Sequence, residues 1–261
     1  MVAEADGGFS ARITARSSRM SNEITERFIE CSTGMVRVSE KGKGKVLGYF
    51  AGLHGLPKWQ PFLDKLSSNR KIVSPSLPGY PGGGDYEQLD DMLDWGLAVR
   101  DIHVGAGLDG VDLIGASVGA TLAAEIAALW PGAVRKLVLI APYGHYDSAE
   151  PTADVFAQYP NQIPHILSAK GDDYAEYIRA PDGEDELEWD LSLLRAQMAA
   201  AQMLWPLGDT KIMKRLWRIT LPTLVIWGSN DQIIPSSYAE RFAGEIGGQT
   251  TIKVIEGAGH K

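Results

Sequence analysis

The stretch Leu113-Ile-Gly-Ala-Ser-Val-Gly-Ala-Thr-Leu-Ala123 decides how this chain is read. It passes from an apolar run through small residues into helix formers, with one serine at the crest. Glycines stand two places to either side of that serine, as Gly115-Ala116-Ser117-Val118-Gly119. A strand that turns at once into a helix brings backbone segments together, and glycine removes the side chains that would collide there. The pentapeptide alone is a loose pattern. Here VDLIGA precedes it as a strand and VGATLAAEIAALW follows it as a helix, stopped by Pro131 and Gly132. Ser117 is therefore expected at a sheet edge beside free helix amides.

Outward from this turn, KVLGYFAG, KIVSPSLPG, RKLVLIAPYG, TLVIWGSND and TIKVIEGAG read as further strands, several with helical stretches between them. Unbroken apolar strands separated by helices predict a mostly parallel central sheet flanked by helices on both faces, an α/β fold. FIEC and MVRVSE add antiparallel strands at the start. One interval breaks the rhythm: about 75 residues between Pro142 and Leu221 hold no clear strand, far more than an ordinary crossover. DELEWDLSLLRAQMAAAQMLW and KIMKRLWRI within it read as helical, which predicts an inserted helical cap over the sheet's carboxyl edge. The expected division is a flexible tail over 1–26, core over 27–143, cap over 144–219 and core again over 220–261. Met198, Met203, Leu204, Trp205, Met213, Leu216 and Trp217 supply apolar surface that either lines a pocket or packs the cap down.

Composition narrows the function. The formal net charge is -8, and no stripe of Lys and Arg runs along the chain, which argues against nucleic acid and anionic membrane surfaces as partners. Cys31 is the only cysteine, so an internal disulfide and a thiolate zinc cluster are excluded. The first 20 residues lack the apolar core of a signal peptide, and no later run approaches the roughly 20 residues that span a bilayer. A soluble, cytoplasmic protein without metal or cofactor, acting on a small molecule, is expected. The oligomeric state is not fixed by the sequence. GYPGGGDY lacks the lysine and hydroxyl of a phosphate loop and reads as a flexible loop. The acidic DDYAEYIRAPDGEDELEWD and the basic run from Lys211 to Arg218 read as solvated surface.

A serine nucleophile needs a base, and an imidazole needs an acceptor that fixes its tautomer. Of five histidines, His260 follows the last strand in the glycine-rich EGAGHK, where an imidazole reaches across the sheet edge. His103 falls in a helical run and reads as packing or surface. His54, His145 and His165 lie in loop or cap positions from which they touch a substrate. For the acid, Asp231 in WGSNDQIIP follows an apolar strand at its carboxyl edge, where crevices form in open α/β sheets. Its simpler reading is a turn-capping carboxylate, and Asp147 in APYGHYD is the competing acid. Two donors must face the carbonyl oxygen during attack. The Val118 amide is one, and the amide of Leu53, after Gly52, is the other, with Leu56 after Gly55 as the alternative.

These segments resemble the α/β-hydrolase fold family: GASVG is similar to its nucleophile elbow, WGSNDQIIP to its acid loop, EGAGH to its histidine loop and VSPSLPGYPG to the segment after its fourth strand. The resemblance spans about Lys45 to His260. It implies Ser117 as nucleophile, Asp231 as acid and His260 as base, and Trp59, seven residues after Gly52, aligns Ala51-Gly52 with the family's His-Gly and favours Leu53. Ala51, Ser76 and Ala120 depart from residues common in the family. It also implies a helix after His260, and the sequence given closes at Lys261. The function so implied is a carboxylic ester or lactone hydrolase, and His54, His145 and Trp205 are expected in its pocket from their own loop and cap positions. A carbon-carbon bond hydrolase acting on a vinylogous keto acid, and a non-catalytic small-molecule-binding protein, are the alternatives.

Overall fold

The computed structural model describes residues 23–206 and 208–261. The expected tail falls largely outside these residues, but its last two, Thr25 and Glu26, already belong to β1 (Thr25–Cys31). β1 and β2 (Gly34–Lys41) form an antiparallel hairpin that joins the sheet through β4 (Lys71–Pro75). β3 (Val46–Phe50), β5 (Val111–Ala116), β6 (Val134–Ile140), β7 (Thr223–Gly228) and β8 (Thr250–Ile255) complete eight strands in the order β1-β2-β4-β3-β5-β6-β7-β8. All pairs from β4 to β8 along that order are parallel. Their crossovers are α1 (Pro61–Ser67), α2 (Met92–Gly105), α3 (Val118–Leu129) and, between β7 and β8, α7 (Tyr238–Glu245). The expected α/β fold is the observed one.

Alternation along the strands divides the core in two. Leu137 and Leu139 of β6 and Val225 and Trp227 of β7 point with Leu113 into the larger cluster, covered by α2, α3 and α7. Tyr49, Ile114, Val138 and Ile140 point the other way, where α1 supplies Leu63. Cover on this second face is thin: Val138, Ile140, Leu224 and Ile226 are only half-buried, and β8 exposes Ile252, Val254 and Ile255. Helices thus flank both faces, but unequally.

Between β6 and β7 lie α4 (Ile163–Leu167), α5 (Gly171–Ile178) and α6 (Glu186–Leu204), with no strand among the described residues. Asp185 caps α6 by accepting from the Glu188 amide. KIMKRLWRI forms two short 3₁₀ turns, Ile212–Lys214 and Leu216–Arg218, instead of a continuous helix. The reason is its neighbour: Arg215 leaves the helical path to pair with buried Glu125 of α3 at 2.5 Å, and Arg218 donates to the Ala128 carbonyl at 2.7 Å. This basic run is therefore a tie to α3 as well as a surface. GYPGGGDY is also tighter than a flexible loop, since Gly79 donates to Gly84 (2.8 Å), Gly83 to Tyr80 (2.6 Å) and Asp85 to Thr33 (2.7 Å).

His103 packs fully buried on α2 against Phe50, and its Nε2 has no partner. Burial, then the Arg100 guanidinium, brings its pKa from 6.5 down to about 4. The unfolded state therefore binds a proton that the fold refuses, so stability is complete above pH 6.5 and falls as pH drops towards 4, by up to about 1.4 kcal/mol per pH unit for one such imidazole. His103→Gln should flatten the decline of Tm between pH 7 and 5. Parallel pH-Tm curves for the two proteins would refute this.

Candidate active site

Ser117 sits between β5 and α3 with φ 55° and ψ −121°, a conformation that non-glycine residues seldom adopt. Two glycines make it possible. A Cβ on Gly115 would lie 2.5 Å from the Ala120 Cα, and one on Gly119 would lie 2.4 Å from the carbonyl oxygens of both Phe50 and Ala51. The Ser117 amide donates to the Ile140 carbonyl at 2.8 Å, tying the turn to β6.

The loops after β7 and β8 are pressed together in the same way. A Cβ on Gly228 would lie 2.2 Å from the Gly259 carbonyl oxygen, and the Asn230 amide donates to Ala258 at 2.8 Å. Asp231 is thereby set beside His260. Its Oδ1 accepts the amides of Ile233 (2.8 Å) and Ile234 (2.9 Å), while its Oδ2 faces His260 Nδ1 at 2.8 Å. Turn-capping and imidazole-binding are thus two ends of one carboxylate. On the far side of the ring, Nε2 lies 2.7 Å from Ser117 Oγ. With Nδ1–H donating to the carboxylate, Nε2 is left to accept the serine proton. Both side chains of the Asp231–His260 pair are fully buried, and Tyr143 packs edge-on against the imidazole at 5.7 Å.

Asp147 lies elsewhere. It pairs with Arg241 at 2.5 Å and accepts the Ala149 amide, and it makes no contact with His260. At the start of α3, the Val118 amide has no acceptor within the helix, as the first amides of a helix do not. Gly52 passes close to Ser117: a Cβ there would fall 3.1 Å from the serine Cβ. Leu53 follows it, fully buried, whereas the Gly55 amide donates back to Gly52 and carries Leu56 across a tight turn to Arg37.

The expected pocket residues separate. His54 is buried next to the site: Gln197 donates to its Nε2 (2.6 Å), leaving Nδ1–H for the Tyr174 hydroxyl (2.7 Å), and burial brings its pKa down to about 3. His145 instead packs on Tyr238 beside Arg241, and Trp205 is 83% exposed at the rim of a separate small cavity with Tyr146 and Phe156. Neither faces Ser117. His165 is exposed near Asp172. A cleft of about 570 Å³ adjoins the site between α1, α5 and the carboxyl ends of β5 to β7. His260 and Lys261 lie on its wall with Tyr49, Tyr174 and Tyr177, and none of the apolar residues singled out on α6 and after it reaches it. Tyr174 and Tyr177 belong to the acidic stretch read as solvated surface. Their three-residue spacing places both on one face of α5, the signal that the charges around them concealed.

A serine, a carboxylate and an imidazole, in that chain order, meet at the carboxyl edge of a sheet of the α/β-hydrolase kind. The sequence profile of the alpha/beta hydrolase family matches residues 52–260, and the chain belongs to that family. It is 28% identical over 242 residues to monoacylglycerol lipase abhd6-A of Xenopus laevis, covering 80% of this chain and 68% of that protein. It is 26% identical over 204 residues to a 2-hydroxy-6-oxo-2,4-heptadienoate hydrolase of Pseudomonas putida, covering 73% and 72%. Among solved structures, a 2-hydroxy-6-oxo-6-phenylhexa-2,4-dienoate hydrolase of Rhodococcus sp. strain RHA1 superposes with a TM-score of 0.70 at 17% identity, covering 91% and 92% of the two chains. A carboxylesterase of Bacillus subtilis gives 0.62 at 19%, covering 91% and 85%. The last two likenesses are of fold. No described helix is long and apolar enough to cross a membrane.

The glycine contacts can be tested without any substrate. Gly119→Ala pushes a methyl group into two carbonyl oxygens and should lower stability by roughly 1–3 kcal/mol. Gly96→Ala in α2, where the nearest atom to a Cβ is 3.7 Å away, should be neutral or gain up to about 1 kcal/mol from helix propensity. Equal denaturation midpoints for the two variants would overturn this account of the turn.

Proposed function

We propose that the protein hydrolyses carboxylic esters, lactones included, through an acyl-enzyme on Ser117. The observation that carries this reading is the chain of hydrogen-bond distances from Ser117 Oγ to His260 Nε2 and from His260 Nδ1 to Asp231. As Ser117 Oγ bonds to the substrate's carbonyl carbon, its proton passes to His260 Nε2, and Asp231 stabilises the imidazolium so formed. The carbonyl oxygen becomes an oxyanion, for which the amides of Leu53 and Val118 are the proposed donors. The bond to the leaving alkoxide breaks and the alkoxide takes the proton from His260. Water then adds to the acyl carbon, giving a proton to the same nitrogen, and the acid departs as Ser117 recovers it. The buried, fixed positions of the imidazole and carboxylate support this use of them, since reacting groups must be held within fractions of an ångström.

Cleavage of a carbon-carbon bond by the same three residues is the second reading, favoured by the likeness to the P. putida hydrolase. A binding protein without turnover is the third. Hydrolysis of p-nitrophenyl esters from acetate to octanoate distinguishes them. Turnover by the wild type that falls at least about a thousandfold in Ser117→Ala is the expected result. A folded wild type inert on every ester sinks the esterase reading.

Asp231→Asn separates the two ends of that carboxylate. The amide oxygen still accepts from Ile233 and Ile234, so the fold should persist with little change in Tm. The imidazole tautomer is lost, and kcat should fall by about 10⁴. A variant with more than a tenth of wild-type turnover would remove Asp231 from the mechanism.

A further inference from the structure

Lys261 brings a cation into the site that no negative group among the described residues pairs with. Its amide donates to the Leu167 carbonyl at 2.7 Å, which fixes the backbone directly after His260. The side chain then runs inward. Nζ lies 5.7 Å from the centre of the Tyr174 ring, and a Cβ on Gly52 would fall 2.7 Å from Nζ and 3.1 Å from the Ser117 Cβ. Ammonium and nucleophile flank the same glycine, in the loop proposed to supply an oxyanion donor.

The charges around it leave it alone. Among the described residues Lys261 takes part in no ion pair and its ammonium has no hydrogen-bond acceptor, while Asp231 is committed to His260 and two amides. Asp173, farther along the cleft wall, is exposed, and Lys170 there is another cation. His54 is neutral. Elsewhere this chain matches its buried charges, as Arg215 does for Glu125 and as Arg70 and Arg135 do for Asp112. Burial alone brings the Lys261 pKa down to about 8, so the group is still largely protonated at neutral pH. Half-buried on the cleft wall, this ammonium gains an ion pair only when a ligand brings an anion to it.

We infer that Lys261 selects substrates bearing a carboxylate, namely monoesters of short dicarboxylic acids, by pairing Nζ with that carboxylate while the ester carbonyl lies at Ser117. This rests on the ester-hydrolase reading and adds to it the charge and length of the acyl part. The short distance between cation and nucleophile sets the length: only a few carbons separate carboxylate from ester. A neutral ester of the same size leaves the ammonium unmatched, whereas a carboxylate pairs with it in a cleft partly shielded from water.

The test pairs the p-nitrophenyl monoester of glutaric acid with p-nitrophenyl pentanoate, equal in acyl length and leaving group. Wild type should prefer the acidic ester in kcat/KM by about tenfold or more, and Lys261→Met should cost that ester roughly 30-fold or more, chiefly in KM. Lys261→Arg should restore most of the preference. Losses of equal size on both esters, carried by kcat, would make Lys261 a general support for the oxyanion or for His260 and overturn the inference. A second measurement is independent of turnover: calorimetric titration of Ser117→Ala with monomethyl and dimethyl glutarate. Binding of the acid ester alone, abolished when Lys261→Met is added, sustains the inference even where no ester is hydrolysed, and then only the hydrolase reading fails. Equal or absent binding of the two esters overturns the inference whatever the turnover shows.

Discussion

At Gly115, Gly119 and Gly228 backbone presses on backbone with no space for a Cβ, and the geometry of the site follows from those contacts. The first two let β5 turn straight into α3, with Ser117 held at φ 55° on the crest. The third locks the loop after β8 onto the end of β7, so that Asp231 and His260 arrive as one unit. Such contacts between main-chain atoms have no rotamers to relax through. They give a sheet edge the rigidity that the proposed proton relay requires, because a displacement of about 1 Å at the reacting atoms costs on the order of a hundredfold in rate.

Charge is handled as strictly as volume. Asp231, fully buried, meets three hydrogen-bond partners at once, two amides and an imidazole, so neither of its oxygens is left unmatched. Glu125, inside α3, meets the Arg215 guanidinium through both oxygens, and this pair anchors the return from the insertion to β7. Against that background Lys261, which meets the Tyr174 ring but has no ion pair among the described residues, stands apart, and ligand binding is its proposed use.

The fold was legible where hydrophobic runs were long and punctuated. The strands from β3 to β8 and the turn at Ser117 announce themselves through apolar segments closed by glycine or proline. Ser117, Asp231 and His260 meet because each follows the carboxyl end of a strand, and strand ends in a parallel sheet converge on one edge. Helix α1 was missed, since its seven residues carry too little periodicity to register. Of the expected pocket residues only His54 lies beside the site. His145 sits after β6 like a site residue, yet Arg241 and Tyr238 draw it to the α7 side. Trp205 ends α6 and turns outward, while the tyrosines of α5 turn inward from a segment whose composition is acidic. Side-chain direction in an insertion depends on how its helices dock, and spacing along the chain does not encode that.

The two halves of the site differ in what holds them, and this sets how a substrate enters. Ser117 and His260 are 2% and 3% exposed, and the cleft whose wall holds His260 and Lys261 is the approach to them. The sheet side cannot yield without breaking main-chain contacts that have no alternative arrangement. The wall formed by α5 is different: eight residues long, it is joined to the core by Tyr174 to His54 at 2.7 Å and by Tyr177 to Lys58 at 2.7 Å. Hydrogen bonds of this kind each contribute about 1 kcal/mol net, because water replaces the lost partner. Tyr174 also packs in the apolar core, so displacing α5 costs that burial as well as these bonds, and it would expose His54, Tyr174 and Lys261 together. An edge packed main chain to main chain that carries the proposed reacting groups, faced by a side-chain-held wall that carries the proposed ligand contacts, separates catalytic precision from substrate choice within one small chain.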